Sequence, residues 1–131
     1  MQMYSTVGSN DLEKAMPFYD ALLGSIGWNK MFDSSRGGRF YGQLGQGVFA
    51  VMTPYNEEQA SVGNGMMIGF NLDGPAQVDA FHAKALSLGA TDEGAPGYRG
   101  GPEVGAYFGY FRDLDGNKLC GFHWAPRRAG G

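Results

Sequence analysis

The chain has 131 residues, 43% of them apolar and 14% aromatic, with a formal net charge of -3. That composition excludes bulk disorder and supports one domain, residues 1–131, burying roughly two-thirds of its unfolded surface. It also excludes a nucleic-acid partner, which needs clustered positive charge, because the only basic doublet is Arg127-Arg128 in what reads as a tail over 126–131. No apolar run approaches the roughly 18 residues that cross a bilayer, so no membrane partner is expected. "MQMYSTVGSN" has neither a basic region nor an apolar stretch of the signal-peptide kind. One cysteine cannot close an internal disulfide, which fits a reducing, cytoplasmic setting.

In chain order, Met3 to Val7 reads as a strand bounded by Gly8 and Ser9. A helix follows, with Asn10 as its cap and Glu13 at the reciprocal capping-box position. Leu12, Ala15, Tyr19, Leu22 and Ile26 form its buried stripe. Pro17 should kink it, at about 3 kcal/mol if nothing compensates, and Gly27 ends it. Strands are predicted at Trp28 to Phe32, Arg39 to Leu44 and Val48 to Met52, separated by the turns "DSSRGG" and "GQG". The polar segment 54–65 has no periodicity and reads as a connector between one module, about 1–53, and a second, about 66–125. The second module opens with a strand from Met66 to Leu72. A helix follows, with Pro75 in its first turn and Val78, Phe81, Ala85 and Leu88 on one stripe. "ATDEGAPGYRGGPE" reads as a loop; strands at Val104 to Phe111 and Lys118 to His123 flank a reversal at Asp113 to Gly116.

One constant offset places Tyr4 on Met67, Ala15 on Val78, Phe18 on Phe81 and Leu22 on Ala85. Agreement of order and spacing argues for two copies of one βαβββ unit. "YSTVGSNDLEKAMPFYDALLG", "VDAFHAKALSLGATDEGAPGYR" and "FRDLDGNKLCGF" resemble, over nearly the whole chain, the vicinal oxygen chelate superfamily of glyoxalases, bleomycin-resistance proteins and extradiol dioxygenases. The resemblance implies an α+β fold, in which two βαβββ modules form a curved, barrel-like mixed sheet with helices outside. It also implies a homodimer, and in the family's enzymes a divalent metal held by histidines of first strands and a glutamate of the last strand. Carried over by position, those ligands fall on Tyr4, Met67 and Cys120, with the first-module counterpart of Cys120 near Val51.

A phenol, a thioether and one thiol are a poor donor set for a hard ion. His82 lies in the second helix, and His123 falls on the face opposite Cys120. The carboxylates fall in helices, turns, the linker or strand ends, Glu103 just before a strand being the nearest exception. No metal and no other cofactor is therefore expected. Cys120 reads as a buried hydrophobe rather than a nucleophile, since nothing in the sequence supplies a base or cation beside it. Tyr4 reads as pocket-lining rather than as an acid or base, and Met67 as filler or a ligand contact. Arg99 either clamps an anion or ties its loop to the body. In "AYFGYFR", Tyr107, Gly109 and Phe111 alternate with Phe108 and Tyr110. A four-residue reversal would place Gly109 opposite Cys120 and put Tyr107 and Phe111 on its face; one residue more or less would swap the sets.

These readings give a ligand-binding cavity between the modules lined by Tyr4, Met67, Arg99, Tyr107, Phe111 and Cys120. An interior without charged residues leaves apolar contact as the source of affinity for a small apolar or aromatic molecule. The alternatives are a glyoxalase-like metal-dependent lyase or dioxygenase, and a metal-independent enzyme using Tyr4 or Arg99.

Overall fold

A computed structural model of the chain describes residues 2–43 and 45–125. The predicted tail at 126–131, with Arg127-Arg128, and Leu44, the predicted end of a strand, lie outside the described residues. The elements are β1 (Met3–Gly8), α1 (Leu12–Gly24), β2 (Asn29–Asp33), β3 (Gly38–Gln43), β4 (Gly47–Met52), β5 (Ile68–Asn71), α2 (Pro75–Ser87), β6 (Thr91–Arg99), β7 (Ala106–Arg112) and β8 (Lys118–Trp124). They form two separate four-stranded mixed sheets, ordered β1-β4-β3-β2 and β5-β8-β7-β6. In each, the first and last strands of a βαβββ unit pair in parallel and the remaining pairs are antiparallel. The chain divides into two compact units, Met1–Met66 with Leu114–Asn117, and Met67–Asp113 with Lys118–Gly131.

In the first unit α1 covers one sheet face. Tyr19, fully buried, packs its ring 5.0 Å from both Phe18 and Phe49. Buried Tyr41 donates its hydroxyl to Asp20 at 2.7 Å, and Asp20 also pairs with Arg39 at 2.6 Å. Burial and that hydrogen bond raise the Tyr41 pKa. The helix continues through Pro17. Pro17 is exposed, so the Glu13 carbonyl that loses its partner is on the water side. Asn10 does not cap the helix. The N-cap is Asp11, and Asn10 instead clasps the connector, accepting from the Ala60 N–H at 2.7 Å and donating to its carbonyl at 3.1 Å.

The second unit repeats the plan. Phe81 of α2 packs 5.9 Å from Phe70 and 5.6 Å from Phe111. His82 takes the place that Tyr19 holds in the first helix. Buried to 5% exposure, it keeps Nε2 3.2 Å from an Asp92 carboxylate oxygen and 3.2 Å from the Tyr110 carbonyl, as a buried polar group requires. Residues 91–99, predicted as loop, form β6, the edge strand of this sheet. Its pairing with β7 shifts register between Asp92 and Gly94 and again between Gly94 and Gly97. Pro96, which has no N–H to give a ladder, falls within the second shift.

Candidate functional site

The hairpin β7–β8 decides which side chains share a face. Arg112 pairs with Lys118, so five residues rather than four lie between the paired ends, and Tyr110 stands opposite Cys120. Gly109 pairs with Gly121, not with Cys120. The predicted grouping is therefore exchanged. Tyr107 and Phe111 are on the α2 side, where Tyr107 donates its hydroxyl to Asp79 at 2.6 Å and Phe111 is fully buried against Phe81. The Asp79 carboxylate, accepting that proton, raises the Tyr107 pKa. His123, opposite Tyr107, is also on the α2 side and has Nδ1 2.8 Å from the Leu72 carbonyl.

Cys120 shares its face with Phe108, Tyr110, Phe122, Lys118 and Trp124 by strand alternation and cross-strand pairing. Three rings form a row there. Phe122 and Phe108 stack at 5.1 Å with planes 12° apart, and Phe108 and Tyr110 stack at 5.9 Å and 21°. Trp124, 55% exposed, meets Phe108 edge-on at 6.3 Å. Gly69 leaves room for this arrangement, since a Cβ there would sit 2.9 Å from the Cys120 sulfur and 3.1 Å from the Phe122 ring. The Tyr110 ring is flanked by two cations: the Arg99 guanidinium carbon is 5.3 Å and Lys118 Nζ 5.2 Å from its centroid. Arg99 donates to the Ala95 carbonyl at 2.8 Å, a bond within its own strand rather than to the body of the unit.

Cys120 is fully buried, and desolvation pushes its thiol up to about 11, against a smaller downward pull from the Lys118 charge. The sequence reading of no cation beside this thiol is thus corrected, although the thiol remains protonated at neutral pH and inert as a nucleophile. Met67 immediately precedes β5 and is 44% exposed. In the first unit Tyr4 is 59% exposed and stacks on Phe40 at 6.0 Å. The ladders align Thr6 with Ala50 and Gly69 with Cys120, so the first-module counterpart of Cys120 is Ala50, one residue from the predicted Val51.

These positions do not fit the metal of the resembled enzymes. Ala50 offers no donor, Cys120 offers a protonated thiol, and Met67 a thioether. Among the described residues no group of three or more His, Cys, Asp or Glu side chains is placed to hold an ion.

The sequence profile of the Glyoxalase/Bleomycin resistance protein/Dioxygenase superfamily matches residues 4–120. Among solved structures, a glyoxalase/bleomycin resistance protein from Albidiferax ferrireducens T118 is 41% identical, with a TM-score of 0.83 over 93% of this chain and 97% of that one. A lactoylglutathione lyase from Agrobacterium tumefaciens is 21% identical, with a TM-score of 0.66 over 94% of this chain and 92% of that one, a likeness of fold alone. A glyoxalase-related enzyme from Fulvimarina pelagi, 21% identical, aligns with a TM-score of 0.73 over 94% of this chain and 88% of that one. Curated proteins give no match. No helix among the described residues is long and apolar enough to cross a membrane. With its paired βαβββ units and a matching profile over most of its length, this chain belongs to the glyoxalase/bleomycin resistance/dioxygenase superfamily.

Proposed function

We propose that this protein is a small-molecule-binding member of its family that holds a flat aromatic compound, without a metal, against the face of the second sheet turned away from α2. One observation carries the reading: the nearly parallel row of Phe122, Phe108 and Tyr110, a surface that rewards a further ring by offset stacking. Stacking of this kind adds about 0.5–1.5 kcal/mol per pair beyond area burial. The donor set at the family's metal positions, and a thiol held protonated, support binding rather than metal-dependent lyase or dioxygenase chemistry. The single thiol supports a reducing cytoplasmic setting. Exposed Met3, Tyr4, Met31 and Phe32 on the first unit support a homodimer.

Trp124 provides the test, because it touches Phe108 edge-on and would report a ring arriving beside it. Titration with 2-naphthol should quench its fluorescence saturably, whereas cyclohexanol should not. The Trp124→Phe variant, in which Trp28 is the remaining indole, should lose the signal. Equal, non-saturating responses to both alcohols would end this reading. Elemental analysis of the purified protein should find no stoichiometric zinc, nickel, iron or manganese.

A further inference from the structure

We propose that the ligand taken by this face is an aromatic carboxylate, with Arg99 and Lys118 reading the carboxylate; the inference rests on the aromatic-platform reading above and narrows it. The two cations stand 5.3 and 5.2 Å from the centroid of one ring, that of Tyr110, which itself belongs to the stacked row. Among the described residues, ion pairs join Lys30 and Arg39 to Asp33, Arg39 to Asp20, His82 to Asp92 and Arg112 to Glu93. Arg99 and Lys118 are in none of them. Arg99 gives one N–H to the Ala95 carbonyl, which leaves donors of its five-donor fork unspent.

Both side chains are half-buried, in a chain whose formal net charge is negative. Neither cation has a carboxylate partner in those ion pairs of the described residues, and what the two share is the ring quadrupole of Tyr110. An incoming carboxylate would accept from both, through charge-assisted and, at the guanidinium, bidentate hydrogen bonds. The ligand's ring continues the row of Phe122, Phe108 and Tyr110. A ring alone leaves the cations unpaired, and a small inorganic anion alone leaves the stack uncovered. The charge-free interior predicted from the sequence is replaced by an apolar row with a positive end.

The test compares 1-naphthoate with its neutral counterpart 1-naphthamide by isothermal titration calorimetry on the full chain, with inorganic phosphate as a third titrant. Naphthoate should bind about tenfold or more tightly than naphthamide, as expected for hydrogen bonds to a charged group. Arg99→Gln and Lys118→Gln should each lower that ratio, and the double variant should bring it near one. Far-ultraviolet circular dichroism and a melting curve check that the variants fold. A double variant that keeps the wild-type preference overturns the assignment, as does phosphate displacing naphthoate at equal concentration. Equal affinity of wild type for both naphthalene ligands overturns the carboxylate class and leaves the aromatic platform intact. No binding of either ligand overturns both.

Discussion

Gly121→Ala should destabilise the protein, and the structure says by how much. A Cβ at this position would lie 2.7 Å from Phe81 Cδ2 and 3.0 Å from Leu72 Cδ1. Phe81 is 1% exposed and held between Phe70 at 5.9 Å and Phe111 at 5.6 Å, so its ring has nowhere to go. Overpacking a tight core by one methyl costs about 1–3 kcal/mol, and a clash with a confined ring belongs near the upper end. At about 4 °C per kcal/mol for a chain of this size, the melting temperature should fall by about 8–12 °C. Gly24→Ala is the contrast. It closes α1, has nothing within 4 Å of an added Cβ, and should gain up to about 1 kcal/mol from reduced freedom of the unfolded chain. Adding Phe81→Leu to Gly121→Ala should give a loss smaller than the sum of the two single losses, because the substitutions meet at one contact. Urea titration of the parent, the three single variants and the double variant measures all of this. If Gly121→Ala is as stable as the parent, α2 does not pack on β8 through Phe81 and the account of this unit's core is wrong.

Cys120 should react with a thiol reagent at pH 8 far more slowly in the native protein than in urea, since it is buried and its thiol is pushed up to about 11. The folded state holds this proton more tightly than the unfolded chain, whose thiol ionises near 9.0, so stability should fall as pH rises from about 9 to 11. At about 1.4 kcal/mol per pH unit the loss is about 3 kcal/mol. Cys120→Ala should flatten the curve over that range, and an unchanged slope would refute the burial argument. Asp20→Ala should cost about 1–3 kcal/mol in urea titration, because the buried Tyr41 hydroxyl keeps only a 3.2 Å contact to the Met16 carbonyl and Arg39 loses one of its two carboxylates. Loss of the remaining Arg39–Asp33 pair should show as falling stability in acid, because the guanidinium hydrogen bond holds the Asp33 carboxyl below its ordinary value.

Both helices and the repeat were legible because the apolar stripes have helical spacing in the same order twice; α1 and α2 cover Leu12–Gly24 and Pro75–Ser87, in matching register. β6 was not, because Gly94, Pro96 and Gly97 break the alternation that marks a strand. Those residues sit at the register shifts where the edge strand bulges, and only pairing with β7 reveals the strand. The Asn10 cap failed for a tertiary reason: the connector at Ala60 satisfies its side chain instead. At the candidate site, residue types were legible but faces were not. Strand alternation has period two, so one extra residue in the 113–117 reversal moved Tyr107 and Phe111 under α2 and brought Phe108 and Tyr110 onto the face of Cys120 and Phe122. Lys118 was missed for the same reason, its position over Tyr110 depending on that register. Arg99 was singled out from its loop-like setting, but its place over the Tyr110 ring and its bond to Ala95 within the same strand were not legible, since both follow from the β6 pairing.

The most direct measurement is site-resolved. With phenylalanine and tyrosine ring carbons labelled, 1-naphthoate should move the proton resonances of Phe108, Tyr110 and Phe122 and show nuclear Overhauser contacts to them. Phe49, Phe81 and Phe111, buried beneath the helices of their own units, should stay in place. Contacts confined to other rings, or none at saturating ligand, would contradict the claim that the row on β7 and β8 is a binding surface.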